Sequence, residues 1–348
     1  GLDPVELRVR NALHEGSTMP TGQIVDSAAP VAELLRRVQA APMPGALDAS
    51  DVRNLPGGAS NATHGESVRR GIGYGIGIKN VAFSEGFEDH ATARVRVEQL
   101  NGELVATVQT AAAEVGQGLV TVIQQIVRTE LGVEQVMLLP ADTSIGSAGS
   151  TSASRQTYVT GGAVQAACEA VRQRMADGEL PVDETVTWHH RPTEKLDENG
   201  QGNAHVQYAF AAHRAVVDVD IELGLVKVVE LTTAQDVGKA MNPQAVVGQI
   251  QGGTAQGLGL ALMEEIQIVD GIVKNPSFTD YLLPTILDMP PMNVDVLELA
   301  DPHAPYGLRG VGEPPTISST PAIVAAIRAA TGVPLRRVPV RPEHLTAT

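Results

Sequence analysis

Two stretches of this chain carry the same succession of hydrophobic and polar patterns. Ala93 to Gln99 alternates with period two, Asn101-Gly102 suits a tight turn, and Leu104 to Thr110 alternates back, which predicts a β-hairpin. A glycine-rich loop follows, Glu114-Val115-Gly116-Gln117-Gly118. Leu119, Val122, Ile123, Ile126 and Val127 then recur at helical spacing, and Glu134 to Leu139 reads as a further strand. From Arg214 the succession returns. Val216 to Ile221 and Val226 to Leu231 flank a turn at Leu223-Gly224, the loop Asp236-Val237-Gly238 follows, and a helix is expected from about Pro243 to Met263. Hairpin, glycine loop and helix, twice over, predict two similar α+β units. Hairpin–helix units are also common building blocks, so duplication and coincidence both stay open on pattern alone.

The flanks are less regular. Asp3-Pro4-Val5-Glu6 has the form of an N-cap, a proline at the first helical position and a capping-box acid, so residues 3–14 are expected to be helical. Asp26 or Ser27 is the expected cap of a second helix running to about Gln39, and residues 41–65 read as a loop or linker. Gly71 to Ile78 alternates glycine with larger, mostly apolar residues. That is a strand with one bare face, suited to close packing against another backbone. A nucleotide-binding loop is the sharper reading of so many glycines, but no helix follows them. Residues 177–204 are polar and read as a surface excursion carrying Trp188 and the adjacent His189 and His190. The expected division is an N-terminal helical segment and linker over residues 1–70, a first α+β unit over 71–210, and a second over 211–348.

Composition narrows the function classes. The 348 residues are 43% apolar and 19% charged, a globular balance, and only 3% aromatic, so the core must be mostly aliphatic. A net charge of −15 argues against nucleic acid or an anionic membrane as the main partner. Cys168 is the only cysteine, which leaves no internal disulfide and no Cys-x-x-Cys metal or iron–sulfur site. A cytoplasmic location is the default expectation. The first residue is Gly1 rather than Met, which suggests a processed product or a piece of something longer.

The candidate chemistry lies in loops. Gly310-Val311-Gly312-Glu313-Pro314-Pro315 sets one carboxylate between glycines and prolines, ahead of a predicted helix. A carboxylate in so constrained a loop is aimed at something. If the loop is buried, desolvation makes Glu313 a candidate general base; an ordinary surface turn is the alternative. Ile145 to Arg155 is nearly all small and hydroxylated and runs into a predicted helix, so Ser152, Ala153 and Ser154 suit a phosphate-cradling loop, with a flexible linker as the alternative. Together with Gly116-Gln117-Gly118 and the segment around Gln249, these loops can surround an anionic cofactor. No P-loop, dinucleotide fingerprint in strand–helix context, Gly-x-Ser-x-Gly elbow or His-Glu-x-x-His motif occurs, which leaves a hydrolase little support.

In order along the chain, Ala113 to Leu119, Ser152 to Ser154, Asp236-Val237-Gly238 with Asn242-Pro243, Gly248-Gln249 with Gln256 to Gly259, and Gly310 to Pro315 resemble the molybdenum-binding large subunit of the xanthine dehydrogenase/aldehyde oxidase family. The likeness runs from end to end. Each motif is modest alone, and the five in sequence are specific. The opening Gly1 to Asn11 looks like an internal segment of that subunit, and Ala304 to Arg309 looks closest to bacterial purine-oxidising members.

The resemblance implies an α+β fold whose two units form the second molybdopterin-binding domain. It implies that Gln117, Ser152, Ala153 and Gln249 contact the molybdopterin, with Gly116, Gly118, Ser154 and Gly312 shaping the same site, and that Glu313 is the base. Protein metal ligands are not expected, because the cofactor's own sulfurs hold the molybdenum. The reaction implied is hydroxylation of an electron-poor carbon with water-derived oxygen, on a purine such as xanthine or hypoxanthine. A relative acting on aldehydes or other N-heterocycles, or a non-catalytic cofactor-binding or assembly module, is the alternative. The family's preceding half, with its further glycine-rich cofactor loop and its substrate clamp, is not found here. The chain by itself is therefore expected to be inactive, with the rest of that subunit and separate iron–sulfur (2Fe-2S) and flavin (FAD) chains as partners. Whether the pterin carries an added cytidine nucleotide stays open.

Overall fold

The computed structural model describes residues 1–346. Helix α1 (Pro4–Arg10) starts as its sequence requires, with the Asp3 carboxylate accepting from the amides of Val5 and Glu6 at 2.9 and 3.0 Å. Helix α2 (Val31–Ala40) begins behind Pro30 with no side-chain cap. The expected caps are spent on tertiary contacts instead: Asp26 pairs with Arg191, and Ser27 accepts from Arg309. The long strand β1 (Val68–Val81) then shows its alternation in space. Gly71, Gly73, Gly75 and Gly77 are buried on one face, while Tyr74 and Ile76 pack with α1 and α2 on the other.

The first sheet is built from the predicted hairpin. Strands β2 (His90–Leu100) and β3 (Glu103–Thr110) pair antiparallel around Asn101 and Gly102, whose φ values are 52° and 87°. Helix α3 (Leu119–Leu131) carries the chain to β4 (Gln135–Leu138), parallel to β3. Helix α4 (Gln156–Ala176) returns it to β5 (Val182–His189), antiparallel to β2. Ala91, Ala93, Val95 and Val97 of β2 are buried with Ile123 and Ile126 of α3 and Val159 and Ala163 of α4. The other face is wet and carries the half-exposed Arg94–Asp183 pair.

Strand β5 corrects the expectation of a surface excursion over residues 177–204. Its inward row is Val182, Glu184, Val186 and Trp188, and its outward row is polar, so the strand reads as hydrophilic overall. Trp188 packs on the core beside Tyr158, with ring centroids 5.7 Å apart. His189 and His190 point apart; His189 is solvated, and His190 is buried and accepts from the Asp89 amide.

The second unit repeats the plan. Strands β6 (Gln207–Asp220) and β7 (Leu225–Asp236) form a hairpin, and helix α5 (Pro243–Leu262) leads through the small ribbon β8 (Ile268–Val269) and β9 (Ile272–Val273) to β10 (Met292–Leu297), parallel to β7. Helix α6 (Pro314–Thr331) completes it, followed by the short α7 (Glu343–Thr346). Both sheets thus order their strands alike, β4-β3-β2-β5 and β10-β7-β6-β1. The place that β5 takes downstream of α4 is taken in the second sheet by β1, from far upstream. The boundary expected at residue 71 therefore does not hold: β1 pairs with β6 along its whole length, from Val68 opposite Asp220 to Val81 opposite Gln207. The segment before it also belongs to the second unit, where α2 covers the sheet face opposite α5 and α6. All of β6 is buried for that reason. Among the described residues, no helix is long and apolar enough to cross a membrane.

The bare face of β1 lies directly on α6. A Cβ on Gly73 would overlap the Ala322 carbonyl and the Ala326 amide, and one on Gly75 would lie 3.0 Å from the Ala322 amide. Helix backbone meets strand backbone here, and neither can give way as a side chain can. Gly73→Ala is accordingly expected to lower stability by about 3 kcal/mol or more in denaturant unfolding. Gly252→Ala, on the open, exposed face of α5, should instead gain about 0.5–1 kcal/mol. Equal effects at the two sites would refute the packing account.

Between this sheet and its helices sits His213, fully buried, with Nδ1 2.8 Å from Ser318 Oγ and Nε2 3.0 Å from Thr254 Oγ1. Burial pulls its pKa from 6.5 down to about 3. The unfolded chain then takes up a proton first, so the stabilisation is complete above the unfolded value and is lost as pH falls toward 3. Between pH 6.5 and 5, most carboxylates are still ionised. Stability there should drop with a slope of up to about 1.4 kcal/mol per pH unit from this group. Urea titrations across that range should give a flatter profile for His213→Gln than for the natural protein.

Candidate functional site

The two units meet around a cavity of about 350 Å³ to which four helices turn their N-terminal ends. Gln117 lines it just before α3, Gln156 and Thr157 from the first turn of α4, Asn242 and Ala245 from the start of α5, and Glu313 from the N-cap of α6. Each end adds fractional positive charge, so the cavity favours an anionic ligand. Its polar lining is mostly amides and hydroxyls, with Thr151, Ser152 and Ser154 of one loop meeting Gln249 of α5.

The serine loop is folded around a buried cation rather than loose. Arg155 is fully buried, and its Nε donates to Asp89 Oδ2 at 2.7 Å. Its Nη1 donates to the carbonyls of Ala148 and Ser150, and its Nη2 to Asp89 Oδ1 and the His90 carbonyl. Gln156 Nε2 adds a bond to the Ser150 carbonyl at 3.0 Å. The loop carbonyls thus point inward to Arg155. At its end Ala153 and Ser154 adopt φ values of 54° and 50°, a conformation that costs each about 1 kcal/mol or more. From this strained turn the Ala153 amide donates to Glu313 Oε1 at 3.1 Å.

Glu313 gathers several segments. Its own amide donates to Ser154 Oγ at 3.0 Å, and Oε2 lies 3.4 Å from the same hydroxyl and 3.0 Å from Lys79 Nζ. The condition of a buried, desolvated acid is not fulfilled, since the side chain is 40% exposed. Orientation distinguishes it instead. A carboxylate offers about four lone-pair directions. Ala153 takes one on Oε1, while Ser154 and Lys79 occupy Oε2, so Oε1 keeps a lone pair for another partner.

Of the residues singled out by sequence, Gln117, Ser152, Ser154, Gln249, Gly312 and Glu313 line the cavity. Ala153 lies behind it, on Glu313. Gly116 and Gly118, at φ 100° and 84°, bend the loop that carries Gln117 without lining the cavity themselves. The Gln117 amide is turned back on that loop, with Oε1 2.7 Å from the Val115 amide and Nε2 3.0 Å from the Ala113 carbonyl. In the same loop burial favours the neutral form of Glu114, but the amides of Val120, Gly118, Gly116 and Leu119 outweigh it and hold its pKa below the ordinary value. Gly312 permits close approach, since a Cβ there would lie 3.3 Å from Gln249 Oε1. Gly310 is tighter still, with Ser154 and Val81 both 2.8 Å from the place of its Cβ.

Sequence reasoning missed Asp89, Lys79 and the buried Arg309. Arg309 anchors the loop before Glu313 by donating to the carbonyls of Tyr208 and Ala28, and its Nε sits 3.0 Å from Asp236 Oδ2 at an angle short of hydrogen-bond geometry. Burial lifts the Asp236 carboxyl above its usual pKa, more than Arg309 and the amides of Gly238 and Leu299 offset. Among the described residues, no group of three or more His, Cys, Asp or Glu side chains could hold a metal ion.

A family model described as a molybdopterin cofactor-binding domain matches residues 46–179 and 177–290, and the chain belongs to that family. The xanthine dehydrogenase molybdenum-binding subunit of Escherichia coli O157:H7 is 28% identical over 99% of this chain and 49% of its own length. The aldehyde oxidoreductase of Megalodesulfovibrio gigas is 31% identical over 99% of this chain and 38% of its own. A solved structure of aldehyde oxidoreductase from Desulfovibrio gigas superposes with a TM-score of 0.83 at 28% identity, covering 100% of this chain and 38% of that one. The large chain of carbon monoxide dehydrogenase from Afipia carboxidovorans is 26% identical over 68% of this chain and 33% of its own. The chain therefore spans half or less of the length of these relatives.

Because Arg155 and Asp89 are each at most 2% exposed, Asp89→Asn strands a buried guanidinium. A loss of about 3–5 kcal/mol is expected, with faster amide exchange across residues 147–155. Asp183→Asn, in the exposed Arg94 pair, should change stability by less than about 1 kcal/mol. Unchanged exchange in the Asp89 variant would show that the serine loop holds its shape without the clamp.

Proposed function

We propose that this chain provides one wall of the cofactor site of a molybdenum hydroxylase, with Glu313 as the general base. The observation that supports the reading best is the convergence of Glu313 with the serine loop and Gln249 on one cavity ringed by helix N-termini. The donor set fits a phosphorylated pterin. Ser152 and Thr157 offer hydroxyls, Gln249 an amide, and the missing side chain at Gly312 leaves room beside it, while Ser154 is engaged with Glu313. When bound, the cofactor supplies the two-electron redox chemistry. This chain's residues hold and orient it, and the open lone pair on Glu313 Oε1 takes up the proton released as the substrate carbon is hydroxylated.

A purine such as xanthine or hypoxanthine is the proposed substrate, supported by the likeness to the E. coli xanthine dehydrogenase subunit over nearly the whole chain. An aldehyde is the second reading, favoured by the 31% identity to aldehyde oxidoreductase. The remaining half of such a subunit is a proposed partner, since the relatives are at least twice as long as the stretch matched here, and an iron–sulfur protein and a flavin protein are the further partners that the family resemblance implies.

In the assembled enzyme Glu313→Gln should lower kcat by about 10²–10⁴-fold while molybdenum and pterin contents stay at natural levels. Full turnover in that variant would remove Glu313 as the base. Turnover of an aldehyde but not of xanthine by the natural enzyme would replace the purine and leave the base in place.

A further inference from the structure

Strand parity puts Lys79 where it is. Residues 71, 73, 75, 77 and 79 of β1 share one face. The first four are glycines lying against α6, and at Gly77 a Cβ would be 3.0 Å from the Pro314 carbonyl, in the first turn of the helix. One strand repeat further, about 6.6 Å along, the helix has ended and the row gains its first side chain. That side chain is a lysine whose Nζ reaches 3.0 Å from Glu313 Oε2 and 3.2 Å from Asn80 Oδ1.

Lys79 is not placed as helix-end chemistry would place it, and Glu313 makes none of the side-chain bonds usual at an N-cap. A cation beside a helix N-terminus is opposed by the helix dipole. An acid at an N-cap usually accepts from its own helix. Pro314 and Pro315 have no amides to give, and Glu313 makes no side-chain capping bond. The carboxylate is thus released from α6 and held by donors from elsewhere, Ala153 and Ser154 on one loop and Lys79 on β1. Lys79 is only 20% exposed and does not line the cavity, so it approaches Glu313 from behind.

The geometry points to Lys79 as the positioning residue for Glu313. Its ammonium pins Oε2, and the open lone pair of Oε1 is thereby presented to the cavity. This role rests on the reading of Glu313 as the base. Lys79 itself does not line the cavity.

Two measurements on the purified, assembled enzyme test the assignment. Lys79→Met should lower kcat by about 10- to 100-fold, with KM within about twofold and molybdenum and pterin contents unchanged, because a misaimed base costs rate rather than binding. Lys79→Arg, which keeps a cation in reach, should restore kcat to within about fivefold of the natural enzyme. Thermal unfolding of Lys79→Met, Glu313→Gln and the double variant should be non-additive, the second change costing little once the first is made. That cycle does not depend on turnover. If Glu313→Gln stays active, the base reading fails while the cycle still reports on the pairing. Natural kcat in Lys79→Met would overturn the proposal, as would additive unfolding shifts, or pterin loss in step with the loss of rate.

Discussion

The site depends on one close contact between strand β1 and helix α6. Four glycines in alternate positions let the helix backbone sit on the strand backbone, where a Cβ at Gly71, Gly73 or Gly75 would collide with it and one at Gly77 would crowd it. The contact fixes where α6 begins relative to β1 and therefore where its N-cap, Glu313, stands. Because β1 pairs with β6 along its full length, the helix is registered to the whole second sheet. Aliphatic side chains in the same place would hold the helix farther out, and the reach from Lys79 to Glu313 would be lost.

The first unit is brought to the same point by polar means. The Arg155–Asp89 pair folds the serine loop, and the Ala82 amide bonds the Ala153 carbonyl at 3.1 Å, so the loop is tied to the end of β1. Arg309 does comparable work for the loop ahead of Glu313. Both arginines are completely buried, and each satisfies backbone carbonyls that would otherwise lack partners. The loops are irregular in trace yet well determined, because their carbonyls converge on a fixed fork of donors. With helix dipoles turned the same way, the cavity suits negative charge although the chain as a whole carries −15.

Much of this was legible in advance, for identifiable reasons. The hairpins and their following helices show their periods directly, since one face of each is apolar and the other polar. The bare face of β1 was evident from its alternating glycines, and so was its need for a backbone neighbour. The Glu313 loop declared itself by its glycines and prolines. What failed did so where the pattern was diluted or the partner distant. Strand β5 hides a two-residue period behind polar outward positions and a glutamate on its inward row. Asp26 and Ser27 look like helix caps but serve Arg191 and Arg309, far along the chain. Whether Glu313 is buried stayed open in the sequence, because a constrained loop says that a side chain is aimed without saying how dry its surroundings are.

Local chemistry alone determined that there would be two hairpin–helix units, a strand able to lie against a helix, and a rigid acid at the head of another helix. Those follow from interactions within a few residues, where periodicity, φ restriction and capping act. Only the tertiary structure decided that β1 would close the second sheet rather than the first, and that Lys79, Ala153 and Ser154 would meet on one carboxylate. Those choices turn on which backbone can approach which, and on buried charges finding partners more than sixty residues away, and neither leaves a trace in the spacing of the chain.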